Sequence, residues 1–333
     1  MSTREPFGTL PDGSQVQRLT IARDGLQAHV LTYGATLQDL RLDGVAHPLV
    51  LGWPALEDYL QSRGYFGAVV GRFANRIALG RFQAGGRWYQ ADRNFRGRHT
   101  LHGGSQGSDR MLWTLKAQND DGMTLSLEMP DGHMGFPGTL GVEVTYAIRL
   151  GPVLEITIEA RSDQETPCNF APHNYFVLDD SGSICSHEMT LAAEHYLPVD
   201  DDLIPTGEQR PVAGTDFDFR DPRALGDFPL DHNFCLASQR VALREVGRLI
   251  SRRSGLAMGI ATTEPGLQIY TNSQFDEPDR QGLLGQPYDR YSGVALEPQL
   301  WPDAMNQNGF PAAILVPGAI HRSQSQFRFQ HFI

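Results

Sequence analysis

Glu297 stands where a strand could deliver a carboxylate to a cleft. It follows the apolar run 294–296 and is followed at once by Pro298, which lacks an amide hydrogen and fixes φ. We therefore expect Glu297 at the last regular position of a strand or just beyond it, half-buried and near the carboxamide of Gln299 and the indole of Trp301. A carboxylate in such surroundings can act as a base on a polyol, although a surface glutamate that ends a strand would show the same pattern.

His173 is the titratable residue best suited to work with such a carboxylate. It lies between Pro172 and the aromatic pair Tyr175 and Phe176, so we expect its ring to be held in one orientation and partly shielded from water. Histidine both donates and accepts protons near neutral pH. The alternative is a core histidine that is hydrogen-bonded to the backbone.

Asn75 and Arg76 belong to a segment, residues 71–82, in which arginine and asparagine are interleaved with apolar side chains. Strict strand alternation would put these two residues on opposite faces, whereas a bulge or turn near Ala74 would bring both into one cleft. The fork of a guanidinium group and the donor and acceptor of an amide match vicinal hydroxyl groups. A salt-bridged strand surface is the alternative.

Three more polar residues lie in positions where they could serve a site. His102 precedes two glycines, which allow a sharp turn and would leave its ring projecting from a loop. Asp231 lies beside His232 in a turn-rich stretch, and Gln268 lies inside a strand-like run, where its amide needs partners. A solvated loop histidine is the alternative for His102.

The composition narrows the range of partners. The 333 residues carry 28 Lys+Arg against 39 Asp+Glu, a formal net charge of -11, so nucleic acid and an anionic membrane are poor partners. No apolar run approaches the length of a membrane span, and the first residues contain no apolar leader. The three cysteines, Cys168, Cys185 and Cys235, form no CxxC pair, which favours a reduced, cytoplasmic protein.

The sequence carries none of the common patterns for a metal or a phosphate-bearing cofactor. It has no HExxH motif, no Cys/His cluster at zinc spacing, no EF-hand loop and no glycine-rich loop of the P-loop or dinucleotide type. We therefore expect no metal and no cofactor. The remaining acids, bases and amides suit cofactor-free proton transfer on a small-molecule monosaccharide. We expect the protein to be a monomer or a homodimer.

The elements that must position these residues are strands. Apolar and other side chains alternate over residues 140–150 and again over 154–160, on either side of a Gly151-Pro152 turn. This pattern predicts an antiparallel pair with one buried face. Residues 123–129 show the same alternation, and residues 327–329 close the chain in a fourth segment of this kind.

Helical patterns are few and short. Residues 55–63 give the best one, and residues 239–249 are ambiguous between helix and strand. Alternating strands, scarce helices and turns along the whole length predict an all-β fold, a large β-sandwich. No shift in composition marks a boundary, so we expect residues 1–333 to form a single domain.

Taken together and in order, these segments resemble the aldose 1-epimerases, the mutarotases of the galactose mutarotase-like family. The resemblance covers nearly the whole chain, and no single motif carries it alone. The matching segments are GRFANRIALGRF at 71–82, LHGG at 101–104, HNYF at 173–176, LPVDDDLIPTGE at 197–208, DHNF at 231–234, PGLQIYT at 265–271, LEPQLWPDAMNQNGFP at 296–311 and LVPG at 315–318.

The resemblance implies the supersandwich of that family, with a sugar cleft on one concave face. It also implies interconversion of the α and β anomers of a free aldose without a cofactor. Carried over by position, Glu297 is the implied general base and His173 the implied general acid. The residues implied to bind the hydroxyl groups of the sugar are Asn75, Arg76, His102, Asp231 and Gln268.

The implied reaction opens and closes a sugar ring. Glu297 would remove the proton from the C1 hydroxyl while His173 protonates the ring oxygen, and rotation about the C1–C2 bond would precede closure. His173 must then start protonated, which nearby Asp or Glu charge would favour. Such acid–base assistance is typically worth about 10²–10⁴-fold for each group.

Three departures from the usual family pattern fall near the expected cleft. They are Ala171-Pro172 before the histidine, Asn272-Ser273 after the glutamine strand, and Trp301. They leave the reaction class unchanged but leave the sugar open among galactose, glucose, a pentose, and a deoxy or modified hexose.

Three other functions fit the same fold less well. One is a sugar-binding protein without catalysis, against which the presence of both Glu297 and His173 argues. Another is a hexose-6-phosphate 1-epimerase, which would need a basic cluster for the phosphate. A third is a glycosidase that uses Asp231 with Glu297 as its two carboxylates. The arginines that a phosphate could recruit are Arg72, Arg81 and Arg98.

Overall fold

The computed structural model describes residues 2–62 and 64–332, and most of their regular structure is strand. The strands are, in chain order, β1 (Thr3–Thr9), β2 (Gln15–Arg23), β3 (Leu26–Leu31), β4 (Leu37–Leu42), β5 (Val69–Val70), β6 (Arg76–Ile77), β7 (Arg81–Ala84), β8 (Arg87–Gln90), β9 (Thr100–Leu101), β10 (Thr114–Gln118), β11 (Gly122–Met129), β12 (Leu140–Arg149), β13 (Val153–Ser162), β14 (Thr166–Pro167), β15 (Ala171–Pro172), β16 (Tyr175–Phe176), β17 (Glu188–Leu191), β18 (His195–Tyr196), β19 (Arg210–Pro211), β20 (Arg223–Ala224), β21 (Asp231–Cys235), β22 (Arg244–Ser251), β23 (Leu256–Thr262), β24 (Gly266–Tyr270), β25 (Val294–Gln299), β26 (Ile314–Leu315) and β27 (His321–His331).

Helices are short, as the sequence predicts. The pattern over residues 55–63 forms the α-helix α1 (Leu56–Gln61), and Arg63, the last residue of that pattern, lies outside the described residues. The ambiguous stretch 239–249 contributes to strand β22, which begins at Arg244. Single 3-10 turns lie at Ala78–Gly80, Ser108–Arg110, His133–Gly135 and Ala304–Asn306.

Three sheets contain most of the strands. The largest has nine strands in the order β10-β11-β12-β13-β27-β23-β22-β17-β20, the second has six in the order β16-β25-β24-β21-β18-β19, and the third is β1-β2-β3-β4. Neighbouring strands in all three are antiparallel. The short pairs β14-β26, β15-β5, β6-β9 and β7-β8 complete the sheet structure of the described residues.

The predicted pair over residues 140–160 is confirmed. Strands β12 and β13 run antiparallel, from Leu140 opposite Ser162 to Arg149 opposite Val153, and their alternate apolar side chains are buried. Leu150 is the exception: it lies in the turn after β12 and is 68% exposed, so the prediction that it continues the buried face is wrong. The strand ends one residue earlier because the chain must reverse direction there.

The core lies between the sheets. Ile269 and Val294 of the six-stranded sheet belong to the same buried cluster as Ile260 and Phe327 of the nine-stranded sheet. The ring of Phe176 packs directly on Phe327, with centroids 4.6 Å apart. Apolar side chains that alternate along strands of both sheets therefore meet face to face, which confirms the predicted β-sandwich. Among the described residues, no helix is long and apolar enough to cross a bilayer.

Candidate active site

A cleft of ≈ 520 Å³ opens on the six-stranded sheet, and its size falls within the roughly 300–1,000 Å³ typical of small-molecule sites. Six of the seven residues that the sequence singled out line it. The seventh, Gln268, lies behind them. The lining residues are Gly64, Tyr65, Asn75, Arg76, Asn94, Phe95, Arg96, Leu101, His102, His173, Tyr175, Asp231, Tyr270, Asn272, Gln274, Phe275, Asp276, Glu277 and Glu297.

Glu297 lies within strand β25, directly opposite Gln268 of β24. Two expectations about it are wrong: the strand continues past it to Gln299, and its side chain is buried rather than half-buried. Pro298 is tolerated because, among the described residues, β16 pairs with Val294 and Ala295 of β25 and does not extend to Pro298, so the missing amide hydrogen breaks no bond to that strand. The base candidate is therefore held on a rigid element and away from bulk water.

His173 lies in the two-residue link between β15 and β16. Its backbone is fixed on both sides, because its amide donates to the carbonyl of Ala68 at 2.8 Å and its carbonyl accepts from the amide of Gly67 at 3.0 Å. Its Nε2 lies 3.5 Å from Oε1 of Glu297. Its Nδ1, like Oε2 of Glu297, has no hydrogen-bond partner among the described residues.

Burial moves the two groups toward their neutral forms. It lowers the pKa of His173 to about 4, and it raises the pKa of Glu297 well above its ordinary value, with the negative charge of Asp231 adding to the effect on Glu297. Nearby carboxylate charge favours protonation of His173, as we expected, but burial acts more strongly in the opposite direction. Desolvation of the imidazolium outweighs the attraction of Asp231, which would raise the pKa of His173.

His102 faces His173, with ring centroids 5.1 Å apart, and Tyr65 packs against both rings. The backbone amide of Asn75 donates to Nδ1 of His102 at 3.1 Å, so the neutral ring carries its proton on Nε2. Burial lowers the pKa of His102 well below its ordinary value, and the charge of Arg76 acts in the same direction. His102 is therefore a neutral hydrogen-bond donor fixed in one tautomer.

A polar network forms another wall of the cleft. Arg76 donates to Oδ2 of Asp231 at 3.1 Å and to Oδ1 of Asn75 at 3.3 Å. Gln268 donates to the other carboxylate oxygen of Asp231 at 2.6 Å. The guanidinium group of Arg76 also lies over the ring of Phe95, 4.6 Å from its centroid. Each side chain in this network is oriented by another, so the network can present fixed donors and acceptors to a ligand.

Asn75 and Arg76 share the cleft because the backbone turns at Asn75, where φ is 62°. Of the two arrangements that the sequence left open, a turn near Ala74 is therefore the one present, and it lies at Asn75. Strand β6 starts only at Arg76, so strict alternation never applies to this pair. Asn75 and His102 also exchange backbone contacts, since the amide of His102 donates to the carbonyl of Asn75 at 3.0 Å.

His102, His173 and Glu297 bring together three side chains of types that can bind a metal ion. One ligand atom from each lies within 4.8 Å of the others. A metal-bound histidine normally donates its second ring nitrogen to an acceptor. Nδ1 of His102 instead accepts a backbone hydrogen bond, which leaves the proton on the nitrogen that would have to bind the metal. The arrangement fits proton transfer and hydrogen bonding better than a metal ion.

Two residues that the sequence placed beside Glu297 do not line the cleft. The indole of Trp301 donates to the carbonyl of Pro265 at 2.9 Å and packs against Phe310, and Gln299 is buried beyond the cleft wall. The expected aromatic face is supplied by other side chains. Gln299 shares the strand face of Glu297 but lies two residues farther along β25, outside the lining of the cleft, and the chain leaves the strand before Trp301.

Two histidines near the site residues have structural roles. His99 accepts from the amide of Leu79 at 3.0 Å and lies 3.2 Å from Asp202. His232 packs against Phe217, and it lies in strand β21 rather than in the turn-rich stretch that we expected. The residues of the cleft that the sequence analysis did not single out as binding residues include Tyr65, Phe95, Arg96, Tyr175, Tyr270, Asn272 and Phe275.

Comparison with known proteins identifies one family. The family model described as aldose 1-epimerase matches residues 17–328. A curated relative named galactose mutarotase, from Rattus norvegicus, is 42% identical over 340 residues, covering 98% of each chain. A protein of Escherichia coli (strain K12) named aldose 1-epimerase is 32% identical over 337 residues, covering 96% of each chain.

Solved structures show the same fold over the whole chain. An aldose epimerase homologue from C. elegans has a TM-score of 0.89 at 28% identity and covers 95% of this chain and 99% of its own. A galactose 1-epimerase from Lactobacillus acidophilus NCFM has a TM-score of 0.87 at 27% identity and covers 100% and 99% respectively.

Proposed function

Because the chain belongs to the aldose 1-epimerase family, we propose that it interconverts the α and β anomers of a free aldose, with Glu297 as general base and His173 as general acid. The observation that carries these roles is the approach of Nε2 of His173 to Oε1 of Glu297, 3.5 Å, inside a cleft of monosaccharide size. Both groups are buried and have an unpartnered polar atom, so both have capacity left for a ligand.

The chemistry needs one proton to leave the sugar and one to arrive. Glu297 accepts the proton of the C1 hydroxyl, His173 donates a proton to the ring oxygen, and the C1–O5 bond breaks to give the aldehyde. Rotation about C1–C2 presents the other face of the carbonyl, and the ring closes as both protons return. Concerted assistance of this kind is typically worth about 10²–10⁴-fold for each group.

The directions of the two pKa shifts support this cycle. In the ring-opened state Glu297 holds a proton and His173 is neutral, which is the arrangement that burial favours. Asp231 opposes burial at His173 and so helps the protonated form that begins the cycle.

The charges of the cleft suit a neutral sugar. Among the described residues that line it, two are arginines, and both are paired, Arg76 with Asp231 and Arg96 with Asp202. Arg72, which a phosphate was expected to recruit, is fully buried, and its guanidinium group donates to backbone carbonyls such as that of Gly138 at 2.8 Å. A neutral aldose therefore fits this site better than a sugar phosphate.

The test is proton NMR of anomer exchange on galactose, glucose, arabinose, fucose and modified hexoses, with and without the protein. Wild type should accelerate exchange of at least one of them, and Glu297→Gln and His173→Asn should each fall below about a tenth of that rate while keeping the fold. Glu128→Gln, at an exposed position of β11, is the matched control and should keep the full rate. Unchanged rates in both site variants would remove the assigned roles.

We propose further that this enzyme serves carbohydrate metabolism in the reducing environment of the cytoplasm. Its three cysteines, Cys168, Cys185 and Cys235, are all free thiols, which fits such a compartment. We also propose that residues 1–333 fold as one domain and act as a monomer or homodimer. Analytical ultracentrifugation over a range of concentrations distinguishes those two states.

A further inference from the structure

Asn272 is a cleft residue that the mechanism leaves unused. It lines the cleft just beyond the end of β24, and it is fully buried. Neither Oδ1 nor Nδ2 of its side chain has a hydrogen-bond partner among the described residues. A carboxamide can make up to about four hydrogen bonds, and leaving a buried one unpaired costs free energy. Such a group inside a ligand cleft needs an explanation, and a ligand would supply one.

Other buried amides without partners do not share this position. Asn174, Asn233 and Gln299 also have unpaired side-chain atoms, but none of them lines the cleft. Asn272 differs from them in its backbone as well, with φ at 57°. Strained conformations of this kind often occur at ligand sites. Tyr65, Asn75, Arg96 and His102, which also line the cleft, have positive φ too.

The register of β24 places Asn272 relative to the reacting groups. Tyr270 lines the cleft, whereas its neighbour Ile269 belongs to the core, so even-numbered residues of this strand face the cleft. Gln268 pairs with Glu297, and Asn272 follows four residues later. Strand β24 ends at Tyr270, two residues before Asn272, and Tyr270, Asn272 and Glu297 all line the same cleft. Asn272 thus lies beyond the end of the strand, away from the Gln268–Glu297 pair, where it could face the part of a sugar remote from C1.

We propose that Asn272 is a specificity-determining residue, whose carboxamide hydrogen-bonds a hydroxyl group on the part of the aldose remote from C1. An uncharged amide offers a donor and an acceptor together, which is what a hydroxyl group needs. This inference rests on the proposed function. It goes beyond that function by assigning sugar preference to a residue outside the catalytic pair and the Arg76 network.

The test compares a protein variant with wild type on a series of sugars. Asn272→Gly removes the amide and suits the positive φ, so the backbone should keep its path. The sugars are the aldose that wild type handles best and its 3-, 4- and 6-deoxy forms, with kcat/KM for anomer exchange as the measure. Asp24→Gly, at an exposed surface position with φ at 49°, is the matched control for placing glycine in a left-handed conformation.

On the parent aldose we expect Asn272→Gly to lower kcat/KM about tenfold, mainly through KM, the loss typical of one hydrogen bond. One deoxy sugar lacks the hydroxyl group that Asn272 binds. On that sugar, kcat/KM of wild type divided by kcat/KM of Asn272→Gly should fall to about one. For the control Asp24→Gly, kcat/KM relative to wild type should be the same on every sugar. Asn272→Asp, which keeps the side-chain shape, should single out the same deoxy position.

If kcat/KM of wild type divided by kcat/KM of Asn272→Gly were the same on every sugar, the inference would be overturned. That result is distinct from failure of the proposed function, in which wild type would accelerate anomer exchange of no sugar in the series. If Asn272→Gly proved poorly folded by circular dichroism, the comparison with Asn272→Asp would decide by the same criterion.

Discussion

At the scale of single residues, removal from water decides which group holds a proton. Glu297 and His173 are almost completely buried, and burial disfavours the carboxylate of one and the imidazolium of the other. Asp231 is less buried than either, and its carboxylate is held by Arg76 and Gln268.

Replacement of Arg76 by lysine should weaken sugar binding. Lysine keeps the charge but has no planar fork, so it cannot hold Asp231 and Asn75 at once as Arg76 does. We expect KM for anomer exchange to rise about tenfold with a smaller change in kcat. Arg98→Lys is the control, because Arg98 is exposed and pairs only with Asp202 among the described residues. Equal KM values in the two variants would show that the fork is not used.

At the scale of elements, the site is built from two kinds of support. Strands β21, β24 and β25 hold Asp231, Gln268 and Glu297 in fixed register. The loops that carry His102 and Asn75 are fixed instead by tight backbone approach. A Cβ atom on Gly103 would lie 2.1 Å from the carbonyl oxygen of Gly71, so no other residue fits beside His102 without movement.

Gly103→Ala should therefore reduce both stability and activity. Its φ of 86° and its contact with Gly71 both reject a side chain, and the strain should displace His102. We expect kcat/KM to fall at least about tenfold, since small misplacements of positioning groups are costly. Gly214→Ala shows the cost of the backbone conformation alone, because Gly214 has φ of 74° and free space where the Cβ would lie. It should lose about 1–2 kcal/mol of stability in urea unfolding and keep full activity.

At the scale of the whole molecule, the buried histidines link stability to pH. Burial lowers the pKa of six histidines, to about 4 for His173 and His187. The others among the described residues are His29, His102, His232 and His321. Burial acts in the opposite sense on Asp109, Glu297 and Asp303, whose pKa values it raises. Histidines outnumber these carboxyl groups.

We expect the free energy of unfolding to fall as the pH drops from about 6.5 toward about 4. In that range the unfolded chain binds protons that the buried histidines cannot, so the unfolded state gains. Asp109, Glu297 and Asp303 oppose the trend, because their folded forms keep protons that the unfolded chain releases. Urea unfolding at a series of pH values measures the slope.

His187→Gln should flatten that slope by up to about 1.4 kcal/mol per pH unit, the value for one proton. His187 lies outside the cleft and accepts a hydrogen bond from the amide of Leu178 at 2.9 Å, so the variant also loses stability at every pH. The slope, rather than the stability itself, is the readout. His331→Gln, at an exposed position, should leave it unchanged. Identical slopes in all three proteins would disprove the link.

The sequence by itself determined what depends on neighbours along the chain. Alternation of apolar residues predicted strands β11, β12 and β13 with their buried faces, because strand periodicity is a local property. The ordered motifs led to the family and to candidates for the base and the acid, Glu297 and His173. Between strand alternation and a turn near Ala74, the local pattern could not choose.

Only the tertiary structure decided which residues share the cleft and how they ionise. Strand pairing brings Asp231 and Glu297 to one sheet, and it turns Trp301 away although it lies only four residues from Glu297. Asn272 is a binding candidate because of its burial and its unpaired amide, and both are properties of the folded chain. The dominance of burial over the charge of Asp231 at His173 has the same origin: burial is set by contacts from the whole fold, which no local pattern records.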